Sequence, residues 1–137
     1  MTRTGFHQRL PATLDSVAEL LDALEAYAEE ADLDPAAAAR LNLVAEEIAA
    51  NVAMHAEGAT YFELSVMPRD GALDISIQDD GPEYDPLARD DADTDSDVEE
   101  REIGGLGVHL VRKLTQGVRY ERQAGLNRLS CSLMVAD

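Results

Sequence analysis

The chain is 137 residues long and carries 28 acidic against 11 basic residues, a formal charge of −17. That is far beyond the roughly 2–8 units usual for a small soluble domain, and such a field repels nucleic acid and anionic membrane. The single Cys131 excludes an internal disulfide, no run of about 18 apolar residues could span a bilayer, and no apolar signal core follows Met1, so a reducing cytosol is the expected compartment.

Length alone fits one domain over residues 1–137. Residues 5–10 read as a short edge strand. Residues 13–31 read as an amphipathic helix, because Val17, Leu20, Leu21, Leu24, Tyr27 and Ala28 share a face. Asp34 and Pro35 then supply an N-cap and a first helical position for a second helix. That helix runs to about His55, with Gly58 as its stop. Two strands follow around 61–66 and 73–78, joined by Arg69-Asp70-Gly71. After a long polar segment, Gly104-Gly105-Leu106-Gly107 opens a third helix to about Leu114. Strands near 117–122 and 127–135 close the chain, joined around Ala124-Gly125. In the last of these, Cys131 shares the phase of Leu129, Leu133 and Val135 and so reads as a core residue. This order of helices and hairpins predicts a two-layer α/β sandwich.

Three stretches carry chemistry. In the second helix, Glu47, Asn51 and His55 stand at i, i+4 and i+8, so they form one slowly drifting polar stripe. Beside it runs the apolar stripe of Leu41, Val44, Ala45, Ile48 and Val52. A polar line at the border of an apolar face points toward a site, although a solvated helix flank has the same pattern. In the second strand, Asp79 keeps the phase of Leu73, Ile75 and Ile77, so its carboxylate aims at the helix-covered side. A charge there needs a partner, and Gly81 two residues later permits close approach of a ligand or backbone. The third stretch is the glycine cluster at 104–107, where backbone N–H groups at a helix start could wrap phosphate.

Taken in order, these stretches resemble the boxes of the Bergerat-fold (GHKL) ATPases, and among them the small anti-sigma factor serine/threonine kinases. Glu46-Glu47-Ile48-Ala49-Ala50-Asn51 with His55 is similar to their N box. Asp79-Asp80-Gly81-Pro82 through Pro86 is similar to the first glycine box, and Gly104 through Arg112 to the second. The resemblance implies a Bergerat-type sandwich, its mostly antiparallel mixed sheet covered on one face by three helices. It implies ATP and Mg²⁺ as cofactors. Asn51 would ligand Mg²⁺, Asp79 would accept from the adenine amino group, and Gly81 would lie beneath the base. Gly105, Leu106 and Gly107 would bring backbone to the phosphates. Glu47 would act as general base on a Ser or Thr hydroxyl of an anti-anti-sigma protein. His55 would pack near the site. Relatives of this type work as dimers that hold a sigma factor, which makes a homodimer the expected assembly.

Two departures from the family pattern stand out. Glu83 occupies the place where the family at large often has a second glycine. From Asp79 to Glu102 there are twelve acidic residues and only Arg89 and Arg101. This acidic stretch falls in the expected ATP lid, about residues 82–103. Its like charge and few apolar residues predict a solvated, unstructured segment. Asp91, Asp93, Asp95, Asp97, Glu99 and Glu102 also match EF-hand spacing, but Ser96 stands where that loop needs glycine. The alternatives are therefore a nucleotide-binding anti-sigma or adaptor module with little kinase activity and, more remotely, an acidic divalent-metal-binding protein. A histidine-kinase fragment fits less well, since no long helix carrying a phosphoacceptor His precedes the boxes.

Overall fold

Two tight hairpins and one helical crossover determine the order of strands. The computed structural model describes residues 4–87 and 106–135, without the side chains of 106–108. Arg89 and Arg101, the EF-hand positions from Asp91 to Glu102, Gly104, Gly105 and most of the expected lid lie outside the described residues. The chain runs β1 (Phe6–Pro11), α1 (Leu14–Glu30), α2 (Pro35–His55), β2 (Tyr61–Arg69) and β3 (Ala72–Asp79). It continues through α3 (Leu106–Leu114), β4 (Gln116–Gln123) and β5 (Leu126–Met134). The sheet order is β1-β2-β3-β5-β4, and β1 is an edge strand as its sequence predicts. Among the described residues all four strand pairings are antiparallel, with none of the parallel pairing that "mixed" implied.

Local chemistry explains the element ends. Thr13 caps α1, its hydroxyl accepting from the Ser16 N–H at 3.2 Å. Asp34 caps α2 by accepting from the Ala37 N–H at 3.2 Å, with Pro35 just inside the helix. Each such cap stabilises its helix by about 1 kcal/mol. At the other end, α2 stops at His55 and Ala56 is the C-cap. Gly58 takes φ +94° in the turn beyond, so it shapes the loop rather than the helix end. Ala124 and Gly125 both take positive φ (55° and 80°), the conformation that a two-residue hairpin needs to match strand twist.

Period-two alternation places one face of the sheet in the core. Phe62, Leu64 and Val66 of β2, Leu73, Ile75 and Ile77 of β3, and Leu129, Cys131 and Leu133 of β5 are all buried there. They meet Leu20 and Leu24 of α1 and Leu41, Val44 and Ile48 of α2. Each fully buried side chain of this kind contributes roughly 1.5–3 kcal/mol. The α2 helix packs against both α1 and α3. The Cys131 thiol is pushed up to about 11 by burial, which makes it an inert core group at neutral pH. Among the described residues, no helix is long and apolar enough to cross a membrane.

Candidate functional site

The site forms where the C-terminal half of α2 meets the end of β3. Asp79 and Asp80 are neighbours with opposite environments, because successive strand side chains point to opposite faces. Asp80 turns outward and ties down the loop before β2. Its Oδ1 accepts from the Thr60 N–H at 2.7 Å and the Tyr61 N–H at 3.3 Å, and its Oδ2 accepts from the Thr60 hydroxyl. Asp79 turns inward and is 5% exposed. Its Oδ1 accepts from the Gly81 N–H at 2.9 Å and from Asn127 Nδ2 at 3.0 Å. Both bonds fall on one oxygen, so Oδ2 is left as an acceptor among the described residues.

Close approach favours glycine at position 81. A Cβ there would meet Asp79 Oδ1 at 3.0 Å and the Cβ atoms of Ala56 and Ala59 at 3.2 Å. The start of the first glycine box is thus pressed against the end of α2. Tyr84, three residues on, stacks on His55 with ring centroids 5.8 Å apart and planes 19° from parallel. His55 is a packing residue at the rim of the site, as the sequence indicates.

Asn127 organises the loop, and sequence reasoning did not single it out. It pairs directly with Asp79 across β3 and β5 and is 4% exposed. Its Nδ2 donates to the Asp79 carboxylate and to the Pro82 carbonyl at 2.8 Å. Its Oδ1 accepts from the Tyr84 N–H at 3.3 Å, the Tyr120 hydroxyl at 2.6 Å and Arg122 Nη1 at 3.1 Å. Arg122 Nη1 also donates to the Gly81 carbonyl at 2.8 Å. Burial, first among several causes, raises the Tyr120 hydroxyl above its ordinary range, so it stays protonated and donates. The signal for Asn127 was present in the sequence: it shares the inward phase of Leu129, Cys131 and Leu133, as Asp79 shares that of Ile75 and Ile77.

Glu47 and Asn51 are half-buried on α2, one and two turns before His55 in reverse order, so the stripe spans about 12 Å of helix. Burial, and next to it the charge of Glu46, raises the Glu47 carboxyl above the usual carboxylate range. Leu106 and Gly107 form the first residues of α3, which packs against α2. Gly105 lies outside the described residues. Among the described residues, no cluster of three or more His, Cys, Asp or Glu side chains could hold a metal ion.

A five-stranded antiparallel sheet with three helices on one face, and a glycine turn beneath a buried aspartate, is the architecture of histidine kinase-like ATPases. The chain belongs to this family: the histidine kinase-like ATPase domain matches residues 10–133. Among solved structures, it resembles the RsbU and RsbW domains of Rv1364c from Mycobacterium tuberculosis. That match has TM-score 0.71 and 15% identity, covering 98% of this chain and 33% of that one. It also resembles a chain of the SiaB–SiaC complex from Pseudomonas aeruginosa, with TM-score 0.70 and 18% identity, covering 93% of this chain and 88% of that one. At these identities the likeness is one of fold. The chain spans a third of the length of the first neighbour. No match was found among curated proteins.

Proposed function

We propose that this domain binds ATP with Mg²⁺ and phosphorylates a Ser or Thr hydroxyl of an anti-anti-sigma protein, acting as a sigma-factor-binding partner switch. The observation that carries the nucleotide part is Asp79, a buried carboxylate with two donors on one oxygen and an acceptor left over. An exocyclic amine is the donor that such an acceptor reads, and Gly81 keeps side-chain bulk from its edge. These residues fit the nucleotide. Asp79 would hold the base, Asn51 would offer its carboxamide oxygen to the metal, and the backbone of Gly105, Leu106 and Gly107 would face the phosphates. When bound, ATP supplies the transferable phosphoryl group. Glu47 takes the proton from the accepting hydroxyl, a task suited to a half-buried carboxylate with a raised pKa. Both structural neighbours come from multi-protein or multi-domain settings, in keeping with a domain that works through partners. The domain is proposed to act in the cytosol as a homodimer, with residues 1–137 forming one unit and about 82–103 its lid.

Incubation with labelled ATP and the anti-anti-sigma protein encoded nearby tests this reading. Mass spectrometry should find one phosphoserine or phosphothreonine on that partner. No phosphorylated partner, with ATP binding intact, would leave the second reading: a nucleotide-binding anti-sigma or adaptor module that transfers little phosphate. Glu83 in the glycine box and the acidic stretch before Glu102 favour that second reading.

Asn51→Ala should weaken ATP binding in Mg²⁺ and leave the metal-free affinity unchanged. Isothermal calorimetry with and without EDTA separates the two, and equal losses in both conditions would remove Asn51 as the metal ligand. The Glu47 carboxyl has a further consequence for pH. A general base works ionised, so transfer should fall as pH drops through the raised value, above the ordinary 4.5. Glu46→Gln removes one of the two causes and should move the acid limb of kcat/KM downward. An acid limb unmoved by Glu46→Gln would place the titrating group elsewhere.

A further inference from the structure

Asp79, Asn127 and Arg122 stand in one row across β3, β5 and β4, because Asn127 is in register with both of the others. Directly opposed residues share a face, so all three side chains stand on the helix-covered side, over roughly 10 Å or two strand spacings. The row runs from a buried carboxylate through a carboxamide to a guanidinium on the edge strand. From Asp79 to Asp85 the loop carries four acidic residues and no basic one. Arg122 therefore brings positive charge to this loop from a strand to which the loop does not belong.

The polarity of the row has one solution. Four of the five partners of the Asn127 carboxamide have fixed roles. The Tyr84 N–H and Arg122 Nη1 donate, and the Pro82 carbonyl and the Asp79 carboxylate accept. Reversing the amide would set donor against donor and acceptor against acceptor at each of them. Nδ2 must therefore face Asp79, and the Tyr120 hydroxyl, able to play either part, donates to Oδ1. Arg122 Nη1 places its two hydrogens on Asn127 Oδ1 at 3.1 Å and on the Gly81 carbonyl at 2.8 Å. Gly81 is thus gripped at both of its backbone groups. Arg122 holds the carbonyl directly, and Asp79, itself oriented by Asn127, holds the N–H at 2.9 Å.

We propose that Arg122 is a positioning residue for the nucleotide: acting through Gly81 and Asn127, it fixes the Asp79 acceptor and the glycine turn before the base arrives. This role rests on the reading of Asp79 as the base acceptor. Arginine suits it better than lysine. A planar fork sets two hydrogens of one nitrogen at a fixed angle, whereas an ammonium on a flexible stem keeps the charge but not the aim. The charge itself strengthens both bonds, since an ionised donor bonds about twice as strongly as a neutral one. A loop ordered in advance removes an ordering cost from binding, so the contribution appears as affinity.

The full chain with Arg122→Met or Arg122→Lys tests this in two arms. In the nucleotide-free Arg122→Met protein, amide hydrogen exchange should quicken at Gly81 and Tyr84 and the side-chain amide signal of Asn127 should move. The melting temperature should stay near that of the parent, because Arg122 is exposed. In the second arm, calorimetry should show Arg122→Met losing about tenfold in affinity for AMP, ADP and ATP alike, because the effect is exerted at the base end. Arg122→Lys should recover to within about threefold of the parent. Unchanged exchange at Gly81 and Tyr84 with an unmoved Asn127 signal overturns the positioning role and leaves the reading of Asp79 standing. Parent-like affinity in an Arg122→Met protein whose loop exchange has quickened overturns it as well, and Asp79→Asn then shows separately whether Asp79 reads the base. A loss that grows from AMP to ATP makes Arg122 a direct phosphate contact. A fall in melting temperature that Arg122→Lys does not restore makes it a brace of the fold. Either result also overturns the positioning role.

Discussion

Replacing Glu47 with alanine should leave ATP affinity within about twofold and slow phosphoryl transfer by about 10²–10⁴-fold, the usual contribution of a general base. The two effects separate because Glu47 sits about two helical turns from His55 and the Asp79 loop, at the other end of the polar stripe. Its carboxylate is partly withdrawn from water and lies beside Glu46, so in the parent it is a stronger base than a solvated glutamate. Glu47→Gln keeps the shape and removes the base, and should lose transfer by a similar factor. Single-turnover transfer to the partner protein, with nucleotide affinity measured separately, reads both. A Glu47→Ala variant that phosphorylates at the parent rate removes Glu47 from the reaction, and a variant that loses both activities equally makes it a binding residue.

The sequence disclosed those parts of the fold that depend on local chemistry. Asp34 and Pro35 announced α2 before any tertiary contact, because a cap and a fixed φ act within one turn. The inward aim of Asp79 followed from strand phase alone. Strand order was not legible, since the insertion of β5 between β3 and β4 depends on which edge the crossover through α3 reaches. The stacking of Tyr84 on His55 joins residues 29 apart through loop geometry that no periodicity encodes. Gly58 was read as the end of α2, but Ala56 closes the helix with φ −90° and ψ 68°, which needs no glycine. Asn127 was legible in phase and passed over, because a carboxamide in a strand offers no motif by itself. Only the register with Asp79 gives it meaning.

That register governs the other large effect. Asp79→Asn should weaken ATP binding by about 10–150-fold, the equivalent of losing a charged hydrogen bond of about 1.5–3 kcal/mol. In the parent, Asp79 accepts from Gly81 and Asn127 through Oδ1, and in the proposed complex it would accept from an incoming amine through Oδ2. An asparagine must turn its amide one way or the other. With its nitrogen toward Asn127, two donors face each other at about the distance where a bond stood, and the loop from Gly81 to Tyr84 loses its anchor. With its nitrogen outward, the loop keeps its bonds and a donor faces the adenine amine. The second orientation keeps the Asn127 network of five hydrogen bonds, so it should prevail. The variant should then prefer a base that offers an acceptor at the same place. Inosine triphosphate, with a carbonyl oxygen where ATP has its amine, should gain on ATP in relative affinity. Asn127→Ala should instead weaken both nucleotides alike and lower the melting temperature, because it releases the loop rather than rewriting the acceptor. Calorimetry with both nucleotides on both variants decides the assignment. A folded Asp79→Asn protein with parent-like ATP affinity and no shift toward inosine triphosphate would show that Asp79 does not read the base.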